Sequence, residues 1–351
     1  MLTTKQKTLR KFWYATVLLE DLKSGPKPFR LMGEDIVLFL DAEGQPAALA
    51  DRCCHRTAKL SKGWCENGNI VCGYHGWTYD RSGQCIKIPQ YPDGSAVSGS
   101  LKTPSYRCVP RYGYAWVALE EPLVDIFDIP EDSDPDYRRI AQFYEVWNCA
   151  PLRMLENSFD NAHFSFVHKA TFGQLDQPKP EKYEIKETDY GFYAESIVPI
   201  LNPPIAYRVT GSTAPTTKRH MRNHWFMPFC RRLDMEYPSG LRHIIFNCAT
   251  PMEDGKIQLI QWLYRNDTEA DCSTQELIDW DAAITAEDKE ILEATDPDAC
   301  IDIGRRIEAH MPSDRGGLIM RKRLLDLFQQ HGEGEIYGNM PASSGLQTAA
   351  E

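Results

Sequence analysis

Two cysteines and two histidines occur in matched pairs. Cys53-Cys54-His55 is followed, after residues 56 to 71, by Cys72-Gly73-Tyr74-His75. Thiolates and neutral imidazoles are metal ligands, and C-x-H with C-x2-H is the spacing of a Rieske [2Fe–2S] cluster. There two thiolates hold one iron and two imidazoles hold the other. Replacing two anionic thiolates by neutral rings removes negative charge, so the cluster accepts an electron more readily. Its potential falls at roughly −150 to +300 mV, against about −400 mV for plant-type ferredoxins. The chemistry these four residues offer is one-electron transfer. A zinc knuckle would use the same donors, but it usually groups its cysteines and its histidines separately, whereas each half here supplies one of each. Cys54 lies between two candidate ligands, and the C-x-H spacing favours Cys53. Gly73, Gly76 and Gly83 suit tight loops around a buried inorganic core, and Trp77 and Tyr79 can shield it from water.

A second constellation follows about a hundred residues on. Residues 156 to 168 read Glu-Asn-Ser-Phe-Asp-Asn-Ala-His-Phe-Ser-Phe-Val-His, which places Asp160, His163 and His168 as D-x2-H-x4-H. Two imidazoles and a carboxylate on one face of an iron leave the opposite face open for dioxygen and substrate. Positions five apart on a regular helix differ by about 140°. His163 and His168 therefore converge only if the helix widens into a π-bulge or bends near its end. Two histidines at this spacing are commonly surface or core residues. The upstream Cys/His pairs give these two their weight.

These residues need a scaffold. Residues 12 to 119 read as β-rich, with a strand at Ile36–Leu40, a turn at Asp41–Gly44, a return strand at Pro46–Ala50 and a closing strand at Arg111–Leu119. Two hairpin loops, around 53–55 and 72–75, carry the cluster ligands. Between Glu120 and Asp136 acidic residues and prolines run without a Lys or Arg, which marks a domain boundary. The reading is residues 1–125 for the cluster domain, 126–335 for a second domain and 336–351 for a flexible tail. In the second domain a helix is expected over 150–168, a strand over Asn223–Phe229, and a hairpin pairing Arg242–Ala249 with Lys256–Tyr264. Ser273-Thr274-Gln275-Glu276 is a capping box opening a helix, and a further helix is expected over Glu287–Glu293.

Composition narrows the class. The chain has 351 residues, enough for two domains, and a net charge of −11, which argues against a nucleic-acid partner. Eleven cysteines scattered through a long chain point to reduced thiols and a cytoplasmic location. No apolar run is long enough to span a bilayer. Lys5, Lys7, Arg10 and Lys11 before an apolar stretch faintly suggest a signal peptide. Glu20 and Asp21 follow at once without a small-residue cleavage site, so a first folded element is expected there.

From about Phe12 to about Phe328 the chain resembles the oxygenase component of a Rieske non-haem iron oxygenase. Length and layout are similar to single-subunit members of the dicamba and vanillate O-demethylase and caffeine N-demethylase type. The resemblance implies an α+β chain, an N-terminal all-β Rieske domain followed by an antiparallel-sheet helix-grip (START-like) catalytic domain. It implies mononuclear Fe(II) held by His163, His168 and a carboxylate in a Glu-Asp-Lys context, which falls on Asp288 of Glu287-Asp288-Lys289. Read from the residues alone, Thr285 could instead cap a helix and leave Glu287 and Asp288 as first-turn acids; Asp281 and Glu293 are the other candidate ligands. In the family Asp160 would bridge His163 of its own subunit and His75 of the next in a head-to-tail homotrimer, and Asn157 would lie near the iron without binding it.

The function expected is an oxygenase that takes O2 and hydroxylates or oxidatively demethylates a small organic molecule. The chain has no G-x-G-x-x-G after a strand and no C-x4-C-x2-C. NAD(P)H therefore enters only indirectly, through a separate reductase or ferredoxin. The alternatives are a Rieske electron carrier without catalysis, for which the second domain would be superfluous, and a non-redox metallohydrolase. Trp225, Phe226, Met227, Phe229 and Phe246 are candidates for an apolar substrate pocket, with Arg222, His224 and His243 as polar contacts.

Overall fold

The computed structural model describes residues 1–180 and 183–338. The chain divides into two compact units, Leu9–Ile126 and a larger unit formed by Met1–Thr8 with the residues from Phe127 onward.

The smaller unit contains β1 (Tyr14–Leu18), α1 (Leu19–Leu22), β2 (Lys27–Leu31), β3 (Glu34–Leu40), β4 (Pro46–Ala50), β5 (Trp64–Glu66), β6 (Asn69–Val71), β7 (Thr78–Tyr79), β8 (Cys85–Lys87), β9 (Ser105–Arg111) and β10 (Tyr114–Ala118). A six-stranded sheet runs β1-β10-β9-β4-β3-β2, and a four-stranded sheet runs β5-β6-β7-β8. Ile36 to Phe39 are fully buried, which is why this short apolar run reads as a strand. It turns because Asp41 Oδ1 accepts the backbone N–H groups of Glu43 (3.1 Å) and Gln45 (2.8 Å). The expected closing strand starts late. Arg111 ends β9, Tyr112-Gly113 turn with positive φ, and only Tyr114–Ala118 form β10.

The larger unit is a seven-stranded antiparallel sheet with helices. Its elements are β11 (Arg138–Trp147), α2 (Pro151–Phe159), α3 (Phe164–Val167), β12 (Glu184–Thr188), β13 (Gly191–Leu201), α4 (Tyr207–Thr210), β14 (Thr216–Phe226), β15 (Cys230–Glu236), β16 (Arg242–Glu253), β17 (Lys256–Arg265), α5 (Thr274–Leu292) and α6 (Arg315–Gln330). The sheet order is β11-β17-β16-β15-β14-β13-β12. The β16–β17 hairpin closes on the Glu253–Lys256 pair, as its sequence foretold. Leu277 and Trp280 of α5 pack with Ile140, Val198, Met221, Leu233, Ile245 and Leu263 of the sheet. At about 1.5–3 kcal/mol for each large side chain buried, this contact fixes the helix against the sheet.

Three expectations are corrected. Residues 1–8 fold with the larger unit rather than with the cluster unit, because their polar groups find partners there: the Thr4 hydroxyl donates to Asp254 (2.7 Å) and the Thr8 N–H to Glu333 (3.1 Å). The tail is anchored at its start, since the Ile336 N–H donates to Gln6 at 2.6 Å; residues 339–351 lie outside the described residues. Residues 274–292 form one helix. Ser273 and Glu276 make the reciprocal capping box, and Thr285 is no cap: its hydroxyl donates to the Asp281 carbonyl one turn back, at 2.6 Å.

Candidate active site

The four residues expected to hold the cluster sit on two loops of similar shape. In the first, the Cys53 N–H donates to Ala58 O (2.8 Å) and the Thr57 N–H to Cys53 O (3.0 Å). In the second, the Cys72 N–H donates to Trp77 O (2.8 Å) and the Gly76 N–H to Cys72 O (3.0 Å). Both loops turn back on a residue of positive φ four places after the cysteine, Thr57 and Gly76. Only the second is a hairpin loop. The first joins β4 and β5, which belong to different sheets, because the chain must leave one sheet to build the other.

Cys53 and Cys72 are buried, while His55 and His75 are partly exposed with ring centroids 4.6 Å apart. The His55 ring stacks flat on Trp77 at 4.5 Å, and its Nδ1 is buried with no hydrogen-bond partner. A buried unpartnered ring nitrogen is costly unless it binds something. This donor set, two buried thiols and a pair of partly exposed imidazoles, fits a [2Fe–2S] cluster, which these four residues would hold. Tyr79 adds a contact that the sequence did not announce. Its hydroxyl lies 3.0 Å from Cys53 Sγ and 3.3 Å from Cys54 Sγ. Hydrogen bonds to cluster sulfur favour the reduced form. Tyr79→Phe should therefore lower the cluster potential. A lost bond worth about 1 kcal/mol corresponds to roughly 40 mV for one electron, readable by redox titration of the visible spectrum; an unchanged potential would show that the contact is idle.

In the larger unit the expected 150–168 helix is broken, and the break builds the second site. α2 opens with Pro151 at its first position and buries Leu152, Leu155 and Phe159. It stops at Asp160, which adopts an extended backbone (φ −94°, ψ 112°) and accepts the Ala162 N–H on Oδ1 at 2.7 Å. A short acidic side chain bonding its own backbone competes with the helix. The chain then resumes as the single turn of α3, bracketed by His163 and His168. The histidines converge across this turn, without a π-bulge. Asp160 reaches His163 from an extended residue, not along a helical face.

Asp288 joins them from the inner face of α5. His163 Nε2 and His168 Nε2 are 3.2 Å apart, and Asp288 Oδ1 is 3.6 Å from the first and 3.4 Å from the second. The centre of that triangle lies about 2 Å from all three atoms, a bond length typical of imidazole and carboxylate ligands. These are the residues that, among those described, group as a possible single-ion site. Asp281 and Glu293 are engaged elsewhere, Asp281 with His243 (3.1 Å) and Glu293 with the Asn148 N–H (2.8 Å).

The groups behind the triad fix its orientation. Glu287 Oε2 lies 2.9 Å from His168 Nδ1 and accepts the Thr171 hydroxyl at 2.8 Å. A carboxylate on the far nitrogen sets the tautomer and leaves Nε2 free as a donor. Sequence reasoning gave Glu287 no role, although its place beside Asp288 on a helix was the available signal. Asn157 donates to Asp288 Oδ1 at 3.0 Å. Asp160 Oδ2 stands 3.6 Å from His163 Nδ1, which has no hydrogen-bond partner. Burial opposes charge on both His168 and Asp288. Their mutual hydrogen bonding and attraction outweigh it, so the His168 pKa is raised, with Glu287 adding to the effect, and that of Asp288 is lowered, with His163 and Asn157 adding to it. The pair thus favours a proton at the place where a metal cation would put its charge.

A cavity opens beside the triad between α5 and the sheet. Its walls include Phe164, Phe172, Met221, Leu233, Met235, Ile245, Trp280 and Ile284, with Arg219, Arg231, Tyr237, His243, Asn247 and Gln261 as polar members. Of the pocket residues expected from sequence only His243 is here. Trp225, Phe226, Met227, Phe229, Phe246, Arg222 and His224 do not line it. Side chains alternate along a strand, and β14 turns Arg219 and Met221 inward while Arg222 pairs outward with Glu236 at 2.7 Å. His243 is held by Asp281, though burial keeps its pKa low.

Residues 12–107 match the Rieske [2Fe-2S] domain, and residues 147–330 match the vanillate O-demethylase oxygenase C-terminal domain. The chain belongs to the Rieske non-haem iron oxygenases. It is 28% identical over 351 residues to methylxanthine N1-demethylase NdmA of Pseudomonas putida, spanning 95% of this chain and 93% of that one. The structure of NdmA from the same species with caffeine superposes with a TM-score of 0.81 at 26% identity, covering 94% of each chain. Dicamba monooxygenase bound to dicamba shares the fold, with a TM-score of 0.79 at 23% identity over 92% of this chain and 98% of that one. The α+β fold, the Rieske [2Fe–2S] cluster and the mononuclear iron follow. So does the activity. The chain is an oxygenase component that uses O2 and electrons from a separate reductase or ferredoxin to hydroxylate or oxidatively demethylate a small organic substrate. No helix among the described residues is long and apolar enough to cross a membrane.

Proposed function

We propose that this oxygenase removes an O- or N-methyl group from a small aromatic molecule in the cytoplasm. The observation that carries the reading is the triad of His163, His168 and Asp288 at the wall of an aromatic cavity. The likeness to NdmA and to the vanillate O-demethylase domain supports demethylation over ring hydroxylation. When bound, the cluster supplies single electrons and the iron supplies dioxygen activation. In the overall reaction one oxygen atom enters a methyl C–H bond, the other leaves as water with two electrons and two protons, and the hydroxymethyl product collapses to formaldehyde.

In this reading residues 9–126 form the Rieske domain, with Cys53, His55, Cys72 and His75 holding the cluster, and residues 1–8 together with the chain from Phe127 onward form the catalytic domain. Asp288 closes the iron site, Asn157 orients its carboxylate, Glu287 holds the His168 ring, and the apolar walls exclude water from the reacting methyl group. Asp160 stands beside the unpartnered Nδ1 of His163 and keeps 29% of its side chain exposed. That leaves it placed to accept a second hydrogen bond, from His75 of a neighbouring copy in a homotrimer. Asp160→Asn is nearly isosteric. Both metals should load and the cluster should reduce normally, then reoxidise at least about tenfold more slowly in stopped flow with oxygen and substrate. Reoxidation at the wild-type rate would remove Asp160 from the path.

The function is tested with a surrogate reductase, NADH and labelled dioxygen over a panel of methoxy- and N-methyl-arenes, scoring formaldehyde separately from hydroxylated product. Formaldehyde in step with the demethylated arene is expected. Ring-hydroxylated product alone would overturn demethylation.

A further inference from the structure

The charge inside the cavity specifies one end of the substrate. In the seven-stranded sheet most arginines carry a carboxylate. Arg138 pairs with Asp267, Arg139 with Asp132, Arg222 with Glu236, Arg232 with Glu131, Arg242 with Asp234 and Arg265 with Asp267. Arg219 and Arg231 differ. Both line the cavity, and among the described residues neither makes an ion pair, although the Asp288 carboxylate acts on Arg231 through space. Arg231 at least has two amides, Asn223 Oδ1 at 3.0 Å and Asn247 Oδ1 at 3.4 Å. The Arg219 side chain makes no hydrogen bond among the described residues. It is 5% exposed, its Nε is buried without a partner, and its guanidinium rests on the Phe172 ring, Cζ 4.7 Å from the centroid. The ring of Tyr237, another cavity-lining residue, lies under the same guanidinium with its centroid 6.0 Å from Cζ, and its hydroxyl is also buried and unpartnered.

A buried cation without a counter-charge is expensive, and a buried hydroxyl without a partner adds to the cost. A planar fork of N–H donors next to a free O–H donor matches one ligand group, a carboxylate held by both. We infer that the substrate is an aromatic carboxylate whose acid group seats on Arg219 and Tyr237, with its methyl-bearing end toward the triad. Phe172 sets the spacing. Its ring centroid lies 4.7 Å from the Arg219 Cζ and 4.7 Å from the His168 ring, on which it stacks. Cation and iron ligand are thus no more than two such steps apart, a span suited to a single ring substituted at opposite ends. Phe164, Leu233 and Trp280 supply the apolar walls for that ring.

This inference rests on the cavity being the oxygenation site, so its test reads binding and needs no turnover. Equilibrium dialysis of the holoenzyme compares 4-methoxybenzoate with 4-methoxybenzamide, equal in shape and different in charge, and with 4-methoxybenzenesulfonate. The acid should bind at least about tenfold tighter than the amide, as expected of hydrogen bonds to a charged group, and tighter than the sulfonate. Arg219→Met should erase the preference for the acid with cluster absorbance and iron content unchanged. Arg219→Lys, which keeps the charge and loses the fork, should keep part of it, and decides the matter if Arg219→Met does not fold. Amide binding equal to or tighter than the acid, no binding of either, tighter binding of the sulfonate, or an acid preference that survives Arg219→Met would each overturn the inference. A retained preference without formaldehyde from any substrate would instead count against demethylation and leave the anion site standing.

Discussion

Asp288→Ala should yield a red-brown protein that accepts electrons normally and oxygenates nothing. In the proposed iron site the carboxylate supplies one of three ligand atoms with His163 and His168, and its neighbours are arranged around it: Asn157 donates to it at 3.0 Å, and both histidines lie within 3.6 Å. Alanine leaves two imidazoles that cannot hold iron alone. Loss of an outer-shell partner already costs about 10–100-fold in metal affinity or activity, so loss of the ligand should cost more and leave the mononuclear site empty at ordinary iron concentrations. The cluster ligands lie in a different unit of the chain, and its absorbance should be unchanged. Iron analysis beside the visible spectrum checks this. A variant that keeps its full iron and activity would move the third ligand elsewhere.

Cys72→Ala should give the complementary result. Cys72 is 1% exposed and anchors its loop by backbone bonds to Trp77 and Gly76. In the proposed ligand set, removing its sulfur takes one of two thiolates from the same iron, and a cluster held by the remaining three ligands should not persist. Visible absorbance and reductase-driven turnover should disappear, while the triad still takes up one divalent metal ion. The two variants together separate electron supply from oxygenation: each loses turnover, and each keeps the metal centre that the other lacks. An unchanged Rieske spectrum in Cys72→Ala would remove Cys72 from the ligand set.

What could be read from the sequence was mostly what lies close together in it. The cluster pairs sit two or three residues apart, so spacing alone reports their chemistry. His163 and His168 share one turn, and the five-residue step called for a helix that widens or bends near its end. The break before His163, where Asp160 accepts the Ala162 N–H, was not legible. Asp288 is far along the chain from both histidines, and no local pattern ties them; the family resemblance pointed to it. Thr285 resembled a cap because threonine often is one, but inside α5 its hydroxyl bonds back to Asp281 and the helix continues. The pocket was the main failure. Aromatic residues near β14 and β16 drew attention, whereas the cavity face carries Arg219, Arg231 and Asn247 among its apolar neighbours. Charged residues on a buried face contradict the usual alternation of apolar in and polar out, and here that contradiction marks the site.

Iron, zinc and acid-labile sulfide measured in the freshly purified protein test the central claim most directly, because they require no knowledge of the substrate. A Rieske oxygenase should contain the two irons and two sulfides of its cluster and one further iron that Asp288→Ala removes, with no zinc in proportion to the chain. Zinc in place of iron, with no sulfide, would contradict the assignment of both centres.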